Sequence, residues 1–185
     1  MGGHSVERGY NRPVTVNLKA GDELPSVGLR ATDGYLLNLR SFVTKQPALL
    51  LFFGAPTLTG AAKRKGTKAI EGLSAGHRRL REAGIAVAGI STDSEQQQAE
   101  FARANELPFL LLSDERRSAV ELLGIDTVAA GANVNVARPV AVAVDREGII
   151  RAVFDPVEPD VLVAAATAAL SEPIPAATED ASAGS

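Results

Sequence analysis

The chain has 185 residues, is 45% hydrophobic and carries a formal net charge of -3 at pH 7, which favours a single domain and gives no electrostatic reason to expect nucleic acid or an anionic membrane as a partner. It contains no cysteine, which excludes disulfides, thiolate nucleophiles and thiolate metal ligands. Only two histidines are present, so we expect neither a metal site nor a cofactor.

The first predicted elements are short strands. Residues 1–12 are polar and rich in glycine, which predicts a flexible N-terminus, and residues 14–17 alternate as a short strand does. Residues 27–39 read as two strands joined by a turn at Asp33 and Gly34. Residues 48–53 form a continuous apolar run, which is typical of a strand covered on both faces.

A helix is predicted over about residues 60–83. One face carries side chains at spacings of three and four, namely Ile70, Leu73, His77 and Leu80. Four glycines lie in the same stretch: Gly60, Gly66, Gly72 and Gly76. Each of them weakens a helix by up to ~1 kcal/mol relative to alanine. We therefore expect tertiary packing, or a partner that approaches closely, to compensate.

The second half alternates strands and helices. The predicted strands are residues 85–92, 108–114, 139–145 and 149–155, and the predicted helices are 94–105, capped by Asp93 or Ser94, 115–125 and 159–170. Residues 126–137 show no apolar period and read as a long loop. Residues 171–185 have the composition of a disordered tail. This order predicts an α/β fold, a mixed central sheet with helices on both faces.

Four stretches resemble the peroxiredoxins, which are thiol peroxidases of the thioredoxin fold. They are "AGDELPSVGLRATDG", "LLLFFGAPTLTGAA", "GISTDSEQQQAEFARANELPFLLLSD" and "ARPVAVAVDREGIIRAVF". The likeness is to the bacterioferritin-comigratory branch of the AhpC/TSA family, and it spans roughly residues 19–170 in family order. It implies a three-layer thioredoxin-like sandwich with a peroxiredoxin-type N-terminal hairpin, as one domain over residues 13–170.

The resemblance also assigns site residues. Thr59 matches the threonine whose hydroxyl helps to hold peroxide, and Arg138 matches the arginine that stabilises the thiolate. Ala62 stands where the peroxidatic cysteine belongs, while Gly54 and Ala55 replace a tyrosine and a proline. Peroxide reduction needs a thiolate, and Thr59 has no histidine in the motif to activate it. We therefore predict no thiol peroxidase activity.

The electrostatics that served a thiolate could instead hold a small anion. The first amides of the helix lie at the positive end of its dipole, and a hydroxyl together with a guanidinium fork would complete a carboxylate receptor. Thr59 and Arg138 are therefore the candidate catalytic residues. The candidate ligand-binding positions are the small residues that leave room beside them, namely Gly54, Ala55, Gly60, Ala61 and Ala62.

Simpler interpretations stand beside this one. Arg138 could pair with a carboxylate such as Glu71, and Thr57 and Thr59 could bond the loop and cap the helix. The basic run at residues 63–68 is typical of a solvated helix face.

His77 is expected to be a packed imidazole rather than a base, and His4 has no expected role. Pro139 follows Arg138 where thioredoxins place a cis-proline, so a cis bond there is a hypothesis beside the commoner trans form.

Three functions are compatible with the sequence. The protein could be a ligand-binding or regulatory protein whose former peroxide pocket takes a carboxylate. It could be a recruited non-redox enzyme of small-molecule biosynthesis, in which Arg138 stabilises an enolate or carboxylate and Thr59 or water relays a proton. It could be a thiol peroxidase whose native cysteine is replaced by alanine in this sequence. The chain shows no secretory signal and no apolar run of membrane-spanning length, so we expect a cytoplasmic monomer or homodimer.

Overall fold

The computed structural model describes residues 17–171. The predictions for the flexible N-terminus, for His4, for most of the short strand at residues 14–17 and for the C-terminal tail lie outside these residues. Ser171, the first residue of that tail, is the last residue of a helix, and its Oγ donates a hydrogen bond to the carbonyl of Thr167.

Fourteen elements follow one another along the described chain. They are β1 (Gly28–Ala31), β2 (Leu36–Asn38), α1 (Leu39–Lys45), β3 (Ala48–Phe52), α2 (Gly60–Glu82), β4 (Ala86–Ser91), α3 (Glu95–Ala104), β5 (Leu110–Ser113), α4 (Ser118–Leu122), β6 (Thr127–Ala130), β7 (Asn133–Val136), β8 (Val140–Val144), β9 (Ile150–Phe154) and α5 (Pro159–Ser171). Seven strands form one mixed sheet in the order β2-β1-β5-β4-β3-β8-β9. The pairs β3–β4 and β4–β5 are parallel, and the others are antiparallel. The predicted α/β architecture is confirmed.

Strand β3 lies at the centre of the molecule and separates two apolar cores. All five of its residues are buried, and because successive side chains of a strand point to opposite faces, Leu50 and Phe52 enter one core while Leu49 and Leu51 enter the other. Helices α1 and α4 cover the first core, whereas α2 and α5 cover the second. The result is the three-layer sandwich that the sequence predicts.

Helix α2 tolerates Gly72 and Gly76 because α5 packs directly on them. A Cβ at Gly72 would lie 2.6 Å from the Cβ of Pro159, and a Cβ at Gly76 would overlap the Cγ2 of Val163. Tertiary packing therefore offsets the low helix propensity of glycine, which is one of the two compensations expected from the sequence.

Two regions differ from the sequence-based expectation, the β6–β7 hairpin and helix α1. Residues 126–137 are not a long loop, because β6 and β7 pair as an antiparallel hairpin across Gly131, whose φ is +64°. The hairpin lies outside the main sheet, so its strands lack the long apolar run of the central ones. Helix α1 was not predicted either, since it has only seven residues; its signal is Asn38, whose Oδ1 caps the helix by accepting from the Ser41 amide.

None of the helices between residues 17 and 171 combines the length and the hydropathy that a bilayer-spanning segment needs.

Candidate functional site

The candidate site lies where β3 ends and α2 begins. Parallel strands β3, β4 and β5 end at the same edge of the sheet, and the loop of residues 53–59 crosses that edge. Thr59 is the N-cap residue of α2, is exposed, and its side chain makes no capping hydrogen bond to the described residues. The predicted capping role of this threonine is therefore not realised here.

The first turn of α2 faces outward. Gly60 and Ala61 are exposed and Ala62 is half-buried. The first amide of this turn to bond within the helix is that of Lys63, which donates to the Thr59 carbonyl at 3.4 Å. The preceding amides have no acceptor within the helix, as at every helix start. Gly60 has a φ of +62°, a conformation that glycine adopts without steric cost.

Gly54 and Ala55 are buried and do not enlarge an open space. A Cβ at Gly54 would lie 2.5 Å from Leu58 Cδ1 and 2.7 Å from the Val136 carbonyl oxygen, and a Cβ at Gly66 would overlap the Gly54 carbonyl. The room for a ligand that the sequence predicts is therefore not found at Gly54 and Ala55, whereas for Gly60, Ala61 and Ala62 it stays a prediction. Gly54 and Gly66 let helix α2 approach the loop backbone to backbone.

The guanidinium of Arg138 is held by two carboxylates. Its Nε donates to Asp155 Oδ1 at 2.8 Å and its NH2 to Asp155 Oδ2 at 2.6 Å, while NH1 donates to Asp126 Oδ2 at 3.0 Å. The hydrogen bonds that Arg138 donates to Asp155 are the main cause that raises its pKa, and the charges of Asp155 and Asp126 add to this effect. Arg138 therefore forms ion pairs, as the simpler interpretation predicts. Its partners are Asp155 and Asp126, where the sequence suggested Glu71.

The peptide bond before Pro139 is not cis; among the described residues the cis bond is Asp155–Pro156.

A cleft of about 300 Å³ opens beside Arg138. We call it the lysine–proline cleft, because its lining includes the cations Lys65, Lys68 and Arg138 and the prolines Pro139, Pro156 and Pro159. Lys65 and Lys68 are exposed, and neither forms an ion pair within residues 17–171. The basic run at residues 63–68 is thus a solvated helix face, of which Lys65 and Lys68 also line this cleft.

A buried polar cluster, which the sequence analysis missed, lies beneath the loop. We call it the aspartate cluster: Thr57, Ser91, Asp93 and Asn135. Asp93 Oδ1 accepts from Thr57 Oγ1 at 2.6 Å and from Asn135 Nδ2 at 2.9 Å, and Asp93 Oδ2 accepts from Ser91 Oγ at 2.7 Å. Because all three donors are satisfied by one buried carboxylate, the cluster fixes the loop to β4 and to the β6–β7 hairpin.

The sequence carried only a faint signal of this cluster. Asp93 was a candidate cap for the third helix, but Ser94 takes that role through a capping box with Gln97. The carboxylate of Asp93 does not cap the helix and instead accepts a hydrogen bond from Thr57 of the loop. Thr57 was expected to bond the loop, but its hydroxyl instead ties the loop to Asp93 and Asn135, which lie outside it.

His77 packs against an aromatic ring. Its imidazole lies 5.8 Å from the ring of Phe109, and burial, with a smaller contribution from Arg81, lowers its pKa. The prediction of a packed imidazole is confirmed. Within residues 17–171 no three histidine or acidic side chains are grouped as a metal site requires.

Comparisons with known proteins agree on one family. The model of the AhpC/TSA family matches residues 20–153. Peroxiredoxin Bcp of Escherichia coli (strain K12) is 32% identical over 140 residues, which cover 75% of this chain and 86% of that protein. Peroxiredoxin Q, chloroplastic, of Suaeda salsa is 26% identical over 148 residues, covering 80% of this chain and 65% of that protein.

Solved structures agree on the fold. The crystal structure of peroxidoxin BcpB from Mycobacterium tuberculosis has a TM-score of 0.70 and 22% identity, and the match covers 82% of this chain and 96% of that one. Reduced Prx3 from Vibrio vulnificus in complex with H2O2 has a TM-score of 0.67 and 16% identity, and the match covers 80% and 99% of the two chains.

Proposed function

The chain belongs to the AhpC/TSA family of peroxiredoxins but has no cysteine, and we propose that it has no thiol peroxidase activity and serves as a binding protein for a small organic carboxylate. Ala62 stands in the cysteine position and has no lone pair with which to attack the O–O bond. No residue of the chain carries a thiol.

The lysine–proline cleft is the place that best supports binding. The three guanidinium nitrogens of Arg138 already donate to carboxylates of its own chain, so this fork is not the receptor. Lys65 and Lys68 are spaced by three and lie on one face of α2. Both line the cleft, and neither ammonium group forms an ion pair with the residues that the structure describes.

The rest of the lining limits the ligand. The proline rings in the lining offer apolar surface to a hydrocarbon chain or ring. Glu158 also lines the cleft, and its negative charge opposes ligands that carry several acidic groups. A ligand with one carboxylate and an apolar body therefore fits best. The observation that carries the proposal is that two lysines without an ion pair among the described residues line the same cleft as three prolines.

The first experiment addresses the missing activity. Hydrogen peroxide consumption is followed with dithiothreitol, and separately with a thioredoxin system, as the reductant. We expect the rate to equal that without protein, because no group of the chain can form a sulfenic acid. Turnover above this background would contradict the proposal.

The second experiment addresses binding. Isothermal titration with benzoate and hexanoate compares the wild type with the double variant Lys65→Ala/Lys68→Ala. Loss of the two ammonium groups should weaken binding roughly tenfold, which corresponds to about 1.4 kcal/mol of charge-assisted hydrogen bonding. Lys63→Ala is the matched control, since Lys63 is exposed on the same helix and does not line the cleft. Binding that is absent in the wild type, or unchanged in the double variant, would refute the site.

A further inference from the structure

A second cleft of about 270 Å³ borders the loop of residues 53–59 at Thr57. We call it the hairpin cleft, because the β6–β7 hairpin forms one of its walls. Its lining includes Thr57, Asp93, Gln97, Glu115, Arg117 and Asn133. It shares no lining residue with the lysine–proline cleft. Its volume falls just below the ~300–1,000 Å³ of pockets for drug-sized ligands, so it suits a small molecule.

The floor of the hairpin cleft is rigid. Asp93 is 2% exposed, and its carboxylate accepts hydrogen bonds from the three donors of the aspartate cluster. Thr92 Oγ1 donates to the Val134 carbonyl and so ties the hairpin to the end of β4. Because Asp93 is buried and bonded by donors of its own chain, Arg117 and Glu115 are the charged lining residues that are exposed to solvent.

Arg117 holds an unusual backbone conformation at the rim. Its φ and ψ are 60° and 20°, in the left-handed region, which costs a non-glycine residue about 1–2 kcal/mol. Its amide closes the turn by donating to the Asp114 carbonyl at 2.7 Å. Glycine would close this turn without the steric cost, so the strain points to a use for the arginine side chain.

Two opposite charges therefore face the hairpin cleft. The Arg117 side chain is 47% exposed and lies 3.8 Å from Glu121 Oε1, a solvated contact that contributes little. Glu115 is exposed and forms no ion pair within the part of the chain that the structure describes. One guanidinium and one carboxylate complement a ligand that carries one charge of each sign.

We propose that the hairpin cleft binds a small zwitterion of the α-amino-acid class. The ligand carboxylate pairs with the guanidinium of Arg117, whose fork matches it in two hydrogen bonds. The ligand ammonium group pairs with the carboxylate of Glu115. The side-chain amides of Gln97 and Asn133 provide further polar contacts, which favours amino acids with a short polar side chain.

Titration calorimetry with L-serine and L-asparagine tests this proposal. Serinamide lacks the ligand carboxylate and N-acetylserine lacks the ammonium group, so each should bind at least about tenfold more weakly than serine. The variants Arg117→Gly and Glu115→Gln should lose binding to the same extent. Arg117→Gly also removes the backbone strain, so loss of binding in this variant is not explained by unfolding.

Two controls separate this site from its surroundings. Arg116→Ala changes the neighbouring exposed arginine, which does not line the hairpin cleft, and serine binding should be unchanged. Lys65→Ala/Lys68→Ala should also leave serine binding unchanged, so failure of the carboxylate site and failure of this one are distinguishable. No heat of binding from either amino acid with folded wild type, or equal binding by Arg117→Gly, would overturn the proposal.

Discussion

Arg138 and Asp155 meet through two parallel hydrogen bonds, Nε to Oδ1 at 2.8 Å and NH2 to Oδ2 at 2.6 Å. Asp155 directly follows β9, whereas Arg138 lies between β7 and β8, and Asp126 joins them from the start of the β6–β7 hairpin. Arg138, which the resemblance predicts to be the thiolate-stabilising arginine, thus fastens three segments of the chain to one another. Its charge is compensated within the protein.

Removal of this cation should destabilise the fold. Hydrogen bonds to charged groups contribute about 1.5–3 kcal/mol each, and Arg138 is 27% exposed. We expect Arg138→Ala to lower the free energy of unfolding by about 1.5–3 kcal/mol, because two neighbouring carboxylates would lose the cation between them. Urea denaturation measures this. The double variant Arg138→Ala/Asp155→Asn should recover part of the loss, and an unchanged midpoint in Arg138→Ala would contradict the role.

The aspartate cluster should contribute to the stability of the hairpin. In Asn135→Ala, Asp93 loses one donor and the Val136 amide loses its bond to Asn135 Oδ1. Buried polar groups without partners cost about 1–3 kcal/mol. We expect unfolding at lower urea and faster hydrogen exchange in residues 127–136. Asn133→Ala, at an exposed position of the same strand, is the control and should be nearly neutral; equal effects of the two substitutions would refute this.

The contact between α2 and α5 allows a compensation test. Gly76→Ala places a Cβ against Val163 Cγ2, and overpacking of this kind costs about 1–3 kcal/mol. In a Val163→Ala background the obstructing methyl groups are gone, so the same Gly76→Ala change should be neutral or stabilise by up to ~1 kcal/mol through helix propensity. Thermal unfolding of the four proteins gives the coupling. Additive effects would show that the two residues do not meet.

Asp114 should make stability depend on pH. It is 1% exposed, its Oδ2 accepts from the Val120 amide at 2.8 Å, and its Oδ1 has no partner within residues 17–171. Burial raises its pKa above 3.8, although backbone hydrogen bonds oppose the shift. The folded state therefore binds the proton more tightly than the unfolded state, so the associated stability is present below pH 3.8 and is lost as pH rises through the raised pKa.

Asp114→Asn isolates this dependence. Subtracting its unfolding free energy from that of the wild type at each pH removes the contribution of His77, whose lowered pKa acts equally in both proteins. We expect the wild type to lose stability relative to Asp114→Asn as pH rises from about 3.8 towards neutrality. A difference that is constant with pH would show that the carboxyl of Asp114 has an ordinary pKa.

Local patterns were enough to predict most of the fold. The apolar run that became β3 and the periodic face of α2 both result from burial, which the sequence records directly. The hairpin at residues 126–137 was missed because Val128 is 40% exposed and β6–β7 packs outside the main sheet. Alternation of asparagine and valine at residues 133–136 was the signal that could have revealed it.

The candidate site was less predictable, because its geometry depends on residues far apart in the sequence. The sequence predicts Arg138 as a site residue, but its partners lie 12 and 17 residues away on other segments. Asp93 and Asn135 are separated by 42 residues. A single sequence can place the charge of Arg138 in the fold, but it does not show which carboxylates pair with it. That pairing determines whether the guanidinium remains available to a ligand.

The backbone contact between Gly54 and Gly66 restricts how this region can change. Both positions already have the smallest side chain, so no substitution can widen the gap between the loop and α2 by trimming. Selection or protein engineering that needs a roomier interior here must displace the whole helix, and α5, which packs on α2, would have to follow. Substitutions at the exposed rims of the two clefts leave the contact between Gly54 and Gly66 intact. These rims are thus the parts of the molecule where new ligand specificity can arise most easily.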